Sequence, residues 1–268
     1  MGIVNVTPDS FYDGGTYLET QKAVEYAREL IDNGADIIDI GGESTRPGAS
    51  SVSLETELER VIPVIKQLAQ MTRIPVSIDT TKSEVARQAL EAGACIINDI
   101  SGLRFDPKMV TIAKDYHADI VVMHMSGTPE TMQNNPHYTG WVVDDICSFF
   151  TERISYLESQ GIQKNHIILD PGIGFGKSIE HNLDIIAHAH IFKQFGIPVL
   201  YGPSNKSFLQ PFTSANPEDR MWGTAGITAY LLTAGIDIIR VHNVHNMAII
   251  KNVLSAIKQR LKETTPAC

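Results

Sequence analysis

Eight short apolar runs recur along the chain: GIVNV (2–6), ADIIDI (35–40), PVSID (75–79), CIIND (95–99), DIVVM (119–123), HIILD (166–170), PVLYG (198–202) and DIIRV (237–241). They are rich in Val and Ile and apolar along most of their length, which is the pattern of parallel strands covered on both faces. Between them lie stretches with apolar residues at helical spacing, such as AVEYARELIDNG (23–34), LETELERVIPVIKQLAQM (54–71), SEVARQALEAG (83–93) and NLDIIAHAHIFKQFG (182–196). Gly34, Gly93, Gly161, Gly196 and Gly235 stand where such stretches stop, as glycine does just past a helix. Strand and helix alternate eight times with no linker or low-complexity segment. The pattern predicts one domain over residues 1–268, a single (β/α)8 (TIM) barrel of the α/β class. The alternative is a doubly wound open sheet.

The length of 268 residues suits one barrel and ample core. A net charge of −9 argues against nucleic acid as the main partner and requires a local basic cluster for any anionic ligand. No apolar run approaches the roughly 20 residues of a membrane span. MGIVNVTPDS has no basic n-region, and the first strand begins almost at once, so a floor plug is expected to be short. Cys95, Cys147 and Cys268 are odd in number and lack zinc or disulfide spacing. A cytoplasmic protein is expected, with Cys95 buried in a strand.

Barrel enzymes work at the C-terminal ends of their strands. Here those ends carry chemistry: Asn5, the GGESTRPGA loop, Asp79, Asn98, Met123-His124, Asp170, the GPSNKS loop, and Arg240 with His242. Asn98 alone could equally cap a helix. Asp79, Asn98, Asp170 and Lys206 suit a flat polar heterocycle rich in N–H donors. Thr45, Arg46, Arg240, His242 and Asn5 suit an anion, most plausibly phosphate, with Asn5 able to offer an oxygen to Mg2+. VTPDSFYDGG and GGESTRPGAS are long for βα loops and read as lids. DPGIGFGKS (170–178) looks like a phosphate loop but is not one. Pro171 stands where G-x-x-x-x-G-K-[ST] needs its first glycine, and the G-x-G-x-x-G spacing also fails.

GIVNVTPDSFYDGG, GGESTRPGA, SIDTTKSEVA, NDISGL, VVMHMSGTPETMQ, LDPGIGFGK, GPSNKSFL and RVHNV, in this order, resemble the dihydropteroate synthase family over nearly the whole chain. The two lid stretches and DPGIGFGK are specific to that family and its pterin-binding relatives; RVHNV alone is weak. The resemblance implies a TIM barrel that joins 6-hydroxymethyl-7,8-dihydropterin pyrophosphate to p-aminobenzoate in folate biosynthesis. It implies Mg2+, sulfonamide competition and a homodimer. Residue by residue, it puts Asp79, Asn98, Met123, Asp170 and Lys206 at the pterin. Asn5, Thr45, Arg46, Arg240 and His242 fall at the pyrophosphate, with Asn5 also on the metal. Phe11, Pro47 and Ser207 fall at p-aminobenzoate, and Phe11, Asp13, Arg46 and Lys206 at the reacting centre. The implied chemistry is dissociative, with pyrophosphate leaving before the arylamine attacks.

Two positions depart from the family pattern. Ser-Arg-Lys-Ser is here Ser204-Asn205-Lys206-Ser207, and Arg-Val-His-Asp is Arg240-Val241-His242-Asn243. The first change supports an alternative, a non-catalytic pterin-binding paralogue that lost its grip on p-aminobenzoate. A folate-dependent methyltransferase barrel fits poorly, having no use for the lids. Phe212 and Trp222 are expected to pack, with partner contact the alternative, His188 and His190 to face apart at the surface or an interface without binding metal, and His124 to support the end of its strand. Lys82 is expected at a helix start, within reach of the mouth.

Overall fold

A computed structural model describes residues 1–7, 15–45, 48–49, 51–133, 136–214 and 216–264. Strands β1 (Gly2–Asn5), β2 (Ile38–Gly41), β3 (Val76–Asp79), β4 (Ile96–Asp99), β5 (Asp119–Met123) and β6 (Ile167–Asp170) pair in parallel in sequence order, and β7 (Leu200–Tyr201) pairs with β8 (Ile238–Ile239). Two single bridges complete the ring. Leu169 meets Val199, and Gly2 meets Val241, where Ile3 N–H donates to Val241 O at 3.0 Å. The eight strands therefore close into a barrel, and the open-sheet alternative is excluded.

The helices are α1 (Gly15–Asp32), α2 (Leu54–Met71), α3 (Ser83–Ala92), α4 (Met109–Asp115), α5 (Val142–Ser159), α6 (Ile179–Ala187), α7 (Ala189–Phe192), α8 (Pro217–Thr233) and α9 (Val244–Thr264). On α2, Val61, Val64, Ile65 and Leu68 are buried while Ser53 caps the first turn by accepting from Thr56 N–H. Helical spacing and a capping side chain thus agree on where this helix starts and which face it hides.

Alternation along the strands sorts the side chains into two cores. Ile38, Ile40, Ile78, Ile97, Ile120, Val122, Ile167 and Leu169 point outward into the layer beneath the helices. Met1, Ile96, Val121, Ile168 and Leu200 fill the barrel interior as an apolar floor. One step further along β4 and β6, the inward positions become polar, at Asn98 and Asp170.

Several local expectations are corrected. The strands are shorter than their apolar runs, and β2 begins at Ile38 rather than at residue 35. Cys95 lies before β4 and is exposed. The helix expected over 182–196 starts earlier, at Ile179, and breaks at His188. A short 3-10 turn then ends at Gly196. That break places the rings of His188 and His190 6.3 Å apart, and His188 packs edge-on against Trp141. Phe212 and Trp222 do not pack; they are 62% and 65% exposed.

Gly93 shows how tightly the helix layer fits. It ends α3 with φ +117°, and an added Cβ would stand 2.5 Å from the Ala69 Cβ of α2. Gly93→Ala is expected to lose roughly 2–4 kcal/mol from the left-handed backbone and the overpacking together. Urea unfolding of the variant against the parent measures it.

Candidate active site

The polar layer above the floor is built by register. Asn5 lies opposite Gly41, Gly41 opposite Asp79, Asp79 opposite Asn98, and Met123 opposite Asp170. All are inward positions at strand C-termini, so no loop conformation is needed to bring them together. Gly41 keeps the space between two of them open: a Cβ there would meet Asp79 Oδ2 at 3.8 Å and Asn5 Oδ1 at 3.7 Å.

Arg240, just past β8, reaches across this layer. Its Nε donates to Asp39 Oδ2 at 2.6 Å and its Nη2 to Asp79 Oδ2 at 2.7 Å. Asn98 donates to the same Asp39 oxygen at 3.1 Å, so Asn98 is a barrel-interior residue and not a helix cap. Asp39 is a site residue that the sequence analysis missed. It is fully buried within ADIIDI, and its signal was the alternation, which turns residue 39 inward while Ile38 and Ile40 face the helices. The heterocycle half and the anion half of the sequence-based site are thus joined at Arg240.

Asp170 closes the other side. Its Oδ1 accepts from Gly172 N–H at 2.8 Å, and its backbone oxygen accepts from His124 N–H at 2.9 Å. The Lys206 ammonium sits 4.0 Å above the centroid of the Phe175 ring, a cation–π contact. Phe175 was not singled out from sequence; it packs with Ile100, Met123, Met125 and Met132. Ser207 is exposed at the start of a 3-10 turn, next to Lys206. His242 Nδ1 contacts Ser204 Oγ at 2.9 Å, which fixes the imidazole beside Arg240. Thr45 lines a cavity of about 310 Å³ at the mouth, together with Glu43, Asp79, Lys82 and Phe105. Lys82, at the head of α3, ion-pairs with Glu43 and with the buried Glu57 there, so it is both a helix-start and a mouth residue. His124 supports the end of β5, as expected, through Lys177. Phe11, Asp13, Arg46 and Pro47 lie outside the described residues.

The two departures have local backbone settings. Asn205 has φ +57°, a left-handed conformation that asparagine tolerates better than most residues. The Asn243 side-chain oxygen accepts from Asn246 N–H at 3.1 Å and so caps α9, a task aspartate performs equally well.

Electrostatics set the character of the pocket. Burial raises the Asp79 carboxyl to about 7 against the pull of Arg240, with Asp39 adding to the rise. Burial raises Asp170 to about 6 despite Gly172 N–H and Lys206. Lys206 is lowered to about 8 by burial and then by Arg240. Ionised carboxylates here are costly and only partly compensated, so a ligand bringing N–H donors would meet them favourably. Among the described residues, no group of three or more His, Cys, Asp or Glu side chains is arranged to hold a metal ion.

The profile of the family described as pterin binding enzyme matches residues 1–242. The chain is 46% identical to the dihydropteroate synthase of Synechocystis sp. over 96% of its own length and 89% of that protein's. It is 42% identical to that of Escherichia coli over 98% and 94%. The chain belongs to the dihydropteroate synthase family. Membership makes it a transferase of folate synthesis. Solved structures agree. The Yersinia pestis dihydropteroate synthase with a sulfonamide drug complex superposes with a TM-score of 0.91 at 39% identity, covering 97% of this chain and 94% of that one. The Xanthomonas albilineans dihydropteroate synthase with 4-aminobenzoic acid gives 0.90 at 43%, covering 96% and 92%. Among the described residues, no helix is long and apolar enough to cross a membrane.

Asp170 supplies a direct test of the pocket's electrostatics. An acid raised on folding contributes stability that is complete below its ordinary pKa of 3.8 and is lost as pH rises through about 6. Asp170→Asn has no such proton to lose. Relative to the parent it is expected to gain on the order of 3 kcal/mol between pH 4 and pH 8. Urea unfolding of both proteins across that range measures the difference.

Proposed function

We propose that the chain joins 6-hydroxymethyl-7,8-dihydropterin pyrophosphate to p-aminobenzoate, giving 7,8-dihydropteroate and pyrophosphate. The observation that carries this reading is the pair of costly buried carboxylates, Asp79 beside Asn98 at the ends of β3 and β4, and Asp170 at the end of β6 with Lys206 in the loop past β7. The N–H edge of a pterin ring supplies the donors they lack, while Met123 gives it an apolar face.

The leaving group falls to Thr45, Arg46, Arg240 and His242. Arg240 is bound through Nε and Nη2 to Asp39 and Asp79, and it stands two residues before His242 in the chain. Asn5 offers one neutral hard oxygen, which fits Mg2+ held mainly by phosphate oxygens. Bound there, Mg2+ would neutralise diphosphate charge. The C–O bond from the pterin methylene breaks, the electron pair leaves with pyrophosphate, and the amine of p-aminobenzoate attacks the methylene and then loses a proton. This order is dissociative. The carboxylates favour the pterin cation formed in between, and the cationic clamp favours the departing pyrophosphate. Phe11, Pro47 and Ser207 line the p-aminobenzoate position, Asp13 supports the reacting centre, and the lids exclude water.

We also infer a cytoplasmic homodimer. Ile249, Val253, Ile257 and Leu261 form an exposed i, i+4 stripe on α9, with Trp222 and Tyr230 exposed on α8. Such an apolar face suits a second copy of the chain.

Incubation with the pterin pyrophosphate and Mg2+ should give dihydropteroate and matched pyrophosphate only when p-aminobenzoate is present. Pterin binding without coupled product would instead establish the non-catalytic paralogue, which Asn205 favours. Lys206→Met should lower kcat/KM for the pterin substrate by about 100-fold, the loss of one charge-assisted contact worth roughly 3 kcal/mol. Asn205→Arg should lower the p-aminobenzoate KM several-fold. It should also cost about 1 kcal/mol of stability, because arginine at φ +57° is strained.

A further inference from the structure

The turn after β6 is held from beneath by a lysine that has no part in the scheme above. Lys177 is 3% exposed, and its ammonium has three acceptors: Phe175 O at 2.9 Å, His124 Nδ1 at 3.1 Å and His124 O at 3.2 Å. Burial lowers the Lys177 pKa to about 7. In its ammonium form Lys177 has three donors and no acceptor, so all three are used, and His124 then presents a lone pair at Nδ1. In that state the imidazole is neutral, with its proton on Nε2. Burial, and next the Lys177 charge, hold the His124 pKa down to about 2.

The acceptors belong to two loops, one after β5 and one after β6. These loops meet backbone against backbone. A Cβ on Gly172 would stand 2.0 Å from His124 O, and Gly172 takes φ +71°. Only glycine fits, and it fits because the two strand ends must lie this close. Lys177 is the polar staple across the same seam. The groups along this seam lead to the pocket. Gly172 N–H holds Asp170, the Phe175 ring carries Lys206 and packs on Met123, and His124 N–H binds the Asp170 backbone.

We propose that Lys177 is a positioning residue for pterin recognition: by binding His124 and Phe175 at once, it sets Asp170, Lys206 and Met123 against the ring without touching it. The proposal rests on the pterin reading of the pocket given above. Its rival is a lysine that only stabilises the fold.

Lys177→Met keeps the length of the side chain and removes the ammonium. On the full chain, the affinity for 6-hydroxymethylpterin, measured by calorimetry, is expected to fall at least tenfold. The KM for p-aminobenzoate should stay within twofold. His124→Phe removes one acceptor and should lower pterin affinity similarly, whereas His124→Gln keeps a side-chain acceptor and should recover it to within threefold. Unchanged pterin affinity in a folded Lys177→Met protein overturns the proposal. So does a lowered melting temperature with normal affinity in the folded fraction, which is the signature of the rival. If Lys177→Met does not fold, the His124 pair decides, and equal affinities of Phe and Gln overturn it. A parent protein that binds the pterin yet makes no dihydropteroate sinks the synthase reading alone, and the affinity comparison still stands. A parent that does not bind the pterin sinks both.

Discussion

Arg240 is the charge around which the barrel mouth is organised. It enters from β8, the last strand, and its two ion pairs land on β2 and β3. A guanidinium held between two buried carboxylates has to be placed within a few tenths of an ångström, because each unpaired buried charge would cost several kcal/mol. Closure of the barrel makes that placement available. The bridges at Gly2–Val241 and Leu169–Val199 bring β8 beside β1 and fix where Arg240 emerges. In turn, Asp39 is shared with Asn98, which ties β4 into the same network. Removing Arg240 would take away the group that pulls the Asp79 pKa down against burial, and would leave the buried Asp39 without its guanidinium partner.

The pocket is thereby poised rather than satisfied. Arg240 lowers the cost of ionising Asp79 but does not cancel it, and Asp170 relies on one backbone N–H and the more distant Lys206. Such carboxylates favour a ligand whose edge carries fixed N–H donors over one that is merely flat and apolar. The rigidity comes from elsewhere: the apolar floor below, the helix layer outside, and the seam between the β5 and β6 loops. The polar residues at the strand ends are placed by register, and the proposed leaving-group and arylamine contacts fall largely on the loops that follow them in sequence. This division is common to barrels, whose strands give precision and whose loops give chemistry.

Much of this was legible along the chain. Eight apolar runs with intervening helical spacing named eight βα units, since each run must be covered on both faces. Asn5, Asp79, Asn98, Asp170 and Arg240 stood out as polar residues at, or one short of, the ends of their apolar runs. Asp39 holds the same place in its run, but the polar GGESTRPGA loop that follows carried the reading at that strand end. Lys177 was absorbed into a glycine-rich motif and Phe175 into the same turn. Element ends were less legible: a helical pattern over 182–196 carries no mark of the break at His188, where the imidazole packs edge-on against Trp141. Phe212 and Trp222 look like core residues by composition, yet the fold leaves them on the surface.

The sequence by itself determined the eightfold repeat, the family and most of the polar ring, because those follow from local periodicity, from motifs and from which residues stand near each strand end. The partners were decided only by the tertiary structure. Arg240 meets Asp39 across 201 residues and Asp79 across 161, and Lys177 meets His124 across 53. No local pattern encodes which buried charge faces which. That depends on strand register and ring closure, and these bring distant inward positions to hydrogen-bonding distance only after the whole barrel has formed.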